Sequence, residues 1–210
     1  MLSTTASVHQ GRAADDAPDL GSLVGSRICH DLISPLGAIG NGVELIALAG
    51  LDDTPEMALI AESVENANAR IRFFRVAFGA AEADQTIGAQ EIAAIVQGLG
   101  RTGRHQIDWV PGGGPRLEIK LVFLVVLCIA SAMPWGGRIS VERLGEGWRV
   151  SGASQRQKID RALWDALAEP ERALSVSSAE VEFPLARATA ARLGRRLSVA
   201  SGAAEVAVTF

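Results

Sequence analysis

Cys29-His30-Asp31-Leu32-Ile33-Ser34-Pro35-Leu36 decides how this chain is read. A histidine and a carboxylate stand side by side inside a long apolar-periodic segment, with a proline just beyond them. Forward from the histidine, Leu32, Leu36, Ile39, Val43 and Ile46 recur at alternating spacings of four and three, the stripe of an amphipathic helix. At roughly 100° per residue, those side chains fall about 160–240° away from His30. The imidazole is therefore expected to face solvent. Arg27, Ser34, Gly37 and Asn41 share its side of the helix. Most are small or polar, so a flat protein surface could approach the ring closely.

His30-Asp31-Leu32-Ile33-Ser34-Pro35-Leu36 resembles the phospho-acceptor box of histidine kinases: His, an acidic residue, Leu, any residue, Ser or Thr, Pro, Leu. Every fixed position is filled. The resemblance implies that His30 takes and gives a phosphoryl group. Pro35 removes a backbone donor and crowds the preceding turn, so a kink just after the histidine is expected.

Composition sets the outer limits. A chain of 210 residues, 48% of them hydrophobic, can bury one sizeable core or two small ones. A net charge of −4, with no basic tract to neutralise phosphates, argues against nucleic acid as a partner. Eighteen of the twenty basic residues are arginine, a bias that together with abundant alanine and glycine suggests a GC-rich bacterial genome. Cys29 and Cys128 are too few for a disulfide framework and lie in apolar stretches, as buried thiols in a reducing cytoplasm would. The three histidines are scattered, so no metal-ligand spacing is present. Residues 1–19 read as a polar, flexible tail without a signal core, and His9 within it carries no further signal. The apolar run Leu121–Trp135 is shorter than the ~20 residues a membrane span needs. A soluble, cytoplasmic protein is expected.

Residues 20–81 are expected to form a helical hairpin. Its first helix should run from Leu20 to Ala49, entered after Pro18-Asp19 with an acidic first turn. Gly50-Leu51-Asp52-Asp53-Thr54 connects it to a second helix, with Thr54 as N-cap and Pro55 at the first helical position, where its missing donor costs nothing. Met57, Ile60, Val64, Ala67, Ile71, Phe74 and Phe78 then form a coiled-coil-like seam. A lone hairpin leaves one side of such a seam wet. A symmetric homodimer, closing a four-helix bundle, would cover it. Packing of the hairpin on its own C-terminal domain is the alternative.

The second domain is expected over residues 84–210, as an α+β sandwich. Gln90–Leu99 reads as a helix and Gln106–Val110 as a strand. Pro111-Gly112-Gly113-Gly114-Pro115 reads as a turn, since the lysine and hydroxyl of a phosphate loop are missing. Leu117–Met133 is a long buried helix. Arg138–Leu144 and Trp148–Ser151 pair around Gly145-Glu146-Gly147. Helices follow at Ile159–Leu167 and at Leu185–Leu193, the latter stopped by Gly194. Leu197–Ala200 and Glu205–Phe210 make a last hairpin.

This order resembles the ATP-binding domain of histidine kinases. It departs from it where the nucleotide is held. The family's magnesium-holding asparagine belongs on the long helix, where this chain reads Leu127-Cys128-Ile129-Ala130-Ser131-Ala132. Val150-Ser151-Gly152-Ala153-Ser154 stands where Asp-x-Gly-x-Gly would read adenine. No glycine-rich lid precedes Leu185. ATP is therefore not expected to bind, and no cofactor is expected on this chain.

A phospho-acceptor hairpin joined to a degenerate ATPase-like domain resembles the ChpT-type histidine phosphotransferases of alphaproteobacterial phosphorelays. Arg27 through Gly42 look like that family's acceptor segment, including Gly40-Asn41-Gly42. The resemblance implies His30 as phospho-acceptor; Asp31 is expected to orient its ring or to accept its far proton. It implies Arg27, Ser34, Gly37 and Asn41 as the docking surface. The implied donor is the receiver domain of a CckA-like hybrid kinase, and CtrA-like and CpdR-like response regulators are the implied acceptors, with Mg2+ arriving on the receiver. Arg27 is expected to meet the phosphoryl group or acidic residues of the receiver. A divergent ATP-dependent autokinase and a non-catalytic receiver-binding inhibitor are the alternatives.

Overall fold

The computed structural model describes residues 20–50, 54–82, 84–110 and 112–210. The tail at 1–19 and most of the connection at 51–53 lie outside them.

Two long helices come first. α1 (Leu20–Leu48) continues through Pro35, which cannot donate to the carbonyl of Asp31 one turn back. Its first turn holds no acidic residue, contrary to the expectation, since that turn begins at Leu20-Gly21-Ser22. α2 (Pro55–Ala77) starts as the sequence requires, with Thr54 extended and its hydroxyl accepting the Met57 N–H at 3.2 Å. The helices run antiparallel. A Cβ on Gly25 would touch Phe78 and one on Gly40 would touch Val64.

The predicted α1 seam is split in two. Cys29, Ile33, Leu36, Gly40, Val43 and Ala47 form the more buried side, whereas Ile28, Leu32 and Ile39 stay 45–53% exposed. α2 likewise carries a second apolar face that its heptad spacing concealed. Ala69, Phe73, Val76 and Ala77 are buried, and Phe73 stacks on Phe123 of the C-terminal half at 4.7 Å.

The C-terminal half is a five-stranded sheet under a layer of helices. Its strands are β2 (His105–Trp109), β4 (Gly137–Leu144), β5 (Gly147–Ala153), β6 (Ser198–Ser201) and β7 (Glu205–Thr209), in the order β2-β4-β5-β7-β6. β2 and β4 are parallel, which requires a crossover; α4 (Arg116–Ser131) supplies it. The register puts Trp109, Val141, Val150, Val208 and Val199 in one row across all five strands. Val141, Val150 and Val208 in this row are fully buried.

α3 (Ala89–Thr102) leans on α2: a Cβ on Gly98 would clash with Ala69. α5 (Arg161–Ala168) and α6 (Glu182–Arg192) complete the helical layer, with Trp164 edge-on to Phe183 at 5.5 Å. Gly145 and Gly194 adopt positive φ at the predicted turn and helix stop. Two further features were not expected. Gly114–Pro115, read as part of a turn, is a strand (β3) antiparallel to β1 (Thr86–Ile87); two-residue strands are too short for alternation to reveal them. α6 also starts three residues before the predicted Leu185, with Pro184 tolerated in its first turn.

Charged groups fasten the hairpin to the sandwich. Lys120, 1% exposed, donates from Nζ to the Ser22 hydroxyl at 2.8 Å and to the Gly79 carbonyl at 2.7 Å. Arg116 donates to the carbonyls of Ala80 (3.0 Å) and Arg75 (3.1 Å), and Arg192 to that of Ala81 (3.4 Å). The Ser26 hydroxyl accepts the Ala80 N–H at 2.9 Å. Removing Lys120 breaks two buried hydrogen bonds and opens a cavity. Lys120→Ala should lower unfolding free energy by ~2–4 kcal/mol, read as a lower urea midpoint.

Candidate functional site

α1 carries His30 near the middle of the hairpin, on the side predicted for it. The histidine side chain is 84% exposed. Cys29, next to it, turns inward, and burial pushes its thiol up. The helical period alone accounts for this contrast, because successive residues differ by roughly 100°.

Asp31 links the charged groups of the site. Its Oδ1 lies 3.2 Å from His30 Nδ1, and its Oδ2 accepts Arg27 Nε–H at 2.8 Å. The His30 hydrogen bond, and then the Arg27 hydrogen bond, hold the Asp31 carboxyl below its ordinary range. A carboxylate at Nδ1 favours the tautomer that carries its proton there. That leaves the Nε2 lone pair free to attack. Arg27, expected in the docking surface, is exposed and pairs with Asp31. Ser34 and Asn41 are exposed, Gly37 is half-buried, and a Cβ at Gly37 would meet nothing within 4 Å. The surface above the histidine is open.

The kinase-like order of the second half would imply ATP with its Mg2+, and the residues present do not fit them. Cys128, on the long helix, and Ala132, at its C-cap, are fully buried in the hydrophobic core. Gly152, where adenine recognition would lie, sits under Ile129 and Met133 so closely that even a methyl group would clash. No His, Cys, Asp or Glu cluster able to hold a metal ion occurs among the described residues. Sequence reasoning overlooked Lys120 and Glu182. A single cation inside the apolar run Leu117–Met133 was the available signal for the lysine.

Glu182 is 7% exposed, its charge reaches Cys128, and burial raises its carboxyl above the ordinary value of 4.5. With the folded value above the unfolded one, its contribution is present in acid and is lost as pH rises through the folded value. Glu182→Gln should therefore melt above the wild type at pH 7. The gap should close below about pH 4, where the unfolded carboxyl is also protonated; thermal scans across pH check this.

The family model described as "Histidine phosphotransferase C-terminal domain" matches residues 89–205. The protein phosphotransferase ChpT of Brucella abortus (strain 2308) is 40% identical over 132 residues, 61% of this chain and 63% of that protein. The aligned part thus falls short of two thirds of this relative's length. A solved structure of a bacterial phosphotransferase superposes with a TM-score of 0.64 at 28% identity, covering 91% of this chain and 95% of that one.

Proposed function

The chain belongs to the histidine phosphotransferases of ChpT type, and from that premise we propose that it relays phosphoryl groups between receiver-domain aspartates through His30. The observation that carries this reading is the Arg27–Asp31–His30 contact chain on an exposed helix face. Its Nδ1 is engaged and its Nε2 faces solvent.

The chemistry is mostly positioning. The Nε2 lone pair attacks the phosphorus of an aspartyl phosphate in the partner receiver. The bond from phosphorus to the aspartyl oxygen breaks, and its electron pair stays on the departing carboxylate. His30 is then an imidazolium bearing the phosphoryl group on Nε2 and a proton on Nδ1. The Asp31 carboxylate compensates that new positive charge across the Nδ1–H bond. The second transfer, to another receiver, runs the same step backwards. The Mg2+ that such aspartates require arrives on the receiver. The family resemblance points to a CckA-like donor and to CtrA-like and CpdR-like acceptors, met over Ser34, Gly37 and Asn41.

The relay draws no phosphate from ATP in this reading, which the apolar packing of Cys128, Ala132 and Gly152 supports. It works as a homodimer in the cytoplasm. Val24, Ile28, Leu32, Ile39 and Ile46 form an exposed apolar stripe (37–57%) on α1, centred roughly opposite His30 at about 100° per residue. Folded monomers rarely expose so continuous a stripe. A second hairpin laid on it closes a four-helix bundle and leaves both imidazoles outward. α1 is also long and apolar enough to cross a membrane by length and composition; its two apolar sides, one on α2 and one for a partner, account for that surplus.

Full-length protein mixed with a 32P-labelled phosphorylated receiver should become labelled. His30→Ala should lose at least a thousandfold in initial rate while eluting as the same dimer. Undiminished labelling of the variant would refute the relay. Label taken from ATP without a partner would favour the autokinase instead. Ile39→Asp should shift light scattering from dimer to monomer mass.

A further inference from the structure

We propose that Arg27 is a positioning residue for the transfer: it draws the Asp31 carboxylate across the helix surface onto Nδ1 of His30. This inference rests on the reading of His30 as the phospho-acceptor.

Neighbouring residues on a helix do not face one another. At roughly 100° per residue, the Asp31 side chain leaves the helix about 100° from that of His30. A bond between the two requires Asp31 to lean back toward the histidine. Arg27 lies one turn earlier, at about 60° from His30 by the same count, between the two directions. Its Nε–H holds Oδ2 at 2.8 Å, and Oδ1 is left to face Nδ1 at 3.2 Å. The two carboxylate oxygens are thus divided between two partners.

No group on the neighbouring helix duplicates this arrangement. Arg75 of α2 acts electrically on Cys29, yet its guanidinium is tied to Glu91 of α3 at 3.2 Å. Arg27 is the cation in contact with Asp31 among the described residues. Its side chain is 77% exposed, so the pull is screened by salt and modest in size. Its effect falls on the histidine tautomer rather than on the stability of the fold.

The test uses the full-length chain, labelled with 15N on its histidines, with His30→Gln to assign the His30 signals. The neutral ring of free histidine in water prefers its proton on Nε2. In the wild type the His30 signals should show the Nδ1–H form enriched. Arg27→Gln should return the ratio toward that of free histidine and slow transfer from a phosphorylated receiver about two- to fivefold, the range of an exposed ion pair. Arg27→Lys should keep most of both, and 1 M NaCl should narrow the gap between wild type and Arg27→Gln. An unchanged ratio in Arg27→Gln overturns the inference, whatever the rate does, since a slower transfer with the ratio intact assigns Arg27 to docking. A shifted ratio with unchanged transfer overturns it as well. Failure of the underlying reading is distinct, because wild-type protein would then take no phosphate at all.

Discussion

An ammonium group removed from water must be met by oxygen atoms, and Lys120 is 1% exposed. It finds the Ser22 hydroxyl on α1 and the Gly79 carbonyl just after α2. Desolvating a charge costs several kcal/mol when its partners are missing. The hairpin therefore has one low-energy seat on the sandwich, the one that brings those oxygens to α4. Arg116 and Arg192 repeat the arrangement at Arg75, Ala80 and Ala81. Carbonyls in the last turn of α2 and just beyond it are taken up by side chains from the second half. Phe73 on Phe123 adds the apolar part of the same joint.

That seat determines how the apolar surface of the hairpin is divided. α2 commits one side to α1 and nearly the opposite side to the sandwich, so it is lined on both by small or apolar residues such as Val64 and Ala69. α1 commits only one side within the chain. Its remaining apolar residues, from Val24 to Ile46, await a second copy in the proposed dimer, and its polar side carries His30. Three directions around one helix are thus divided between the same chain and, in the proposed relay, a second copy and the receiver.

Much of this was legible in the residues. His30 and the ends of α2 could be placed because capping chemistry and the helical period are local properties. The strands β4, β5 and β7 announced themselves by alternation and by Gly145. What could not be read was pairing at a distance. The split of the α1 stripe depends on which side α2 takes, and a spacing of three and four fits two adjacent sides equally well. β1 and β3 are two residues each and exist only because each pairs with the other. The Arg27–Asp31 pair could not be read either, because a rotamer on an exposed helix is decided by a neighbour one turn away. Lys120 needed Ser22, 98 residues distant, to make sense.

β7 lies between β5 and β6 in the sheet, although it is the last strand in sequence. The sheet therefore cannot close until residue 209 has been synthesised, and the row from Trp109 to Val199 lacks its Val208 until then. Chains fold from the N-terminal side during synthesis, and α1 with α2 needs only local contacts. The histidine helix is thus among the first elements made. Its seat on the sandwich, with bonds closing about 100 residues of chain, forms late, because distant contacts bear the loop-closure entropy before they return anything. A ribosome stalled short of β7 would hold a hairpin with His30 in place and its supporting half still open.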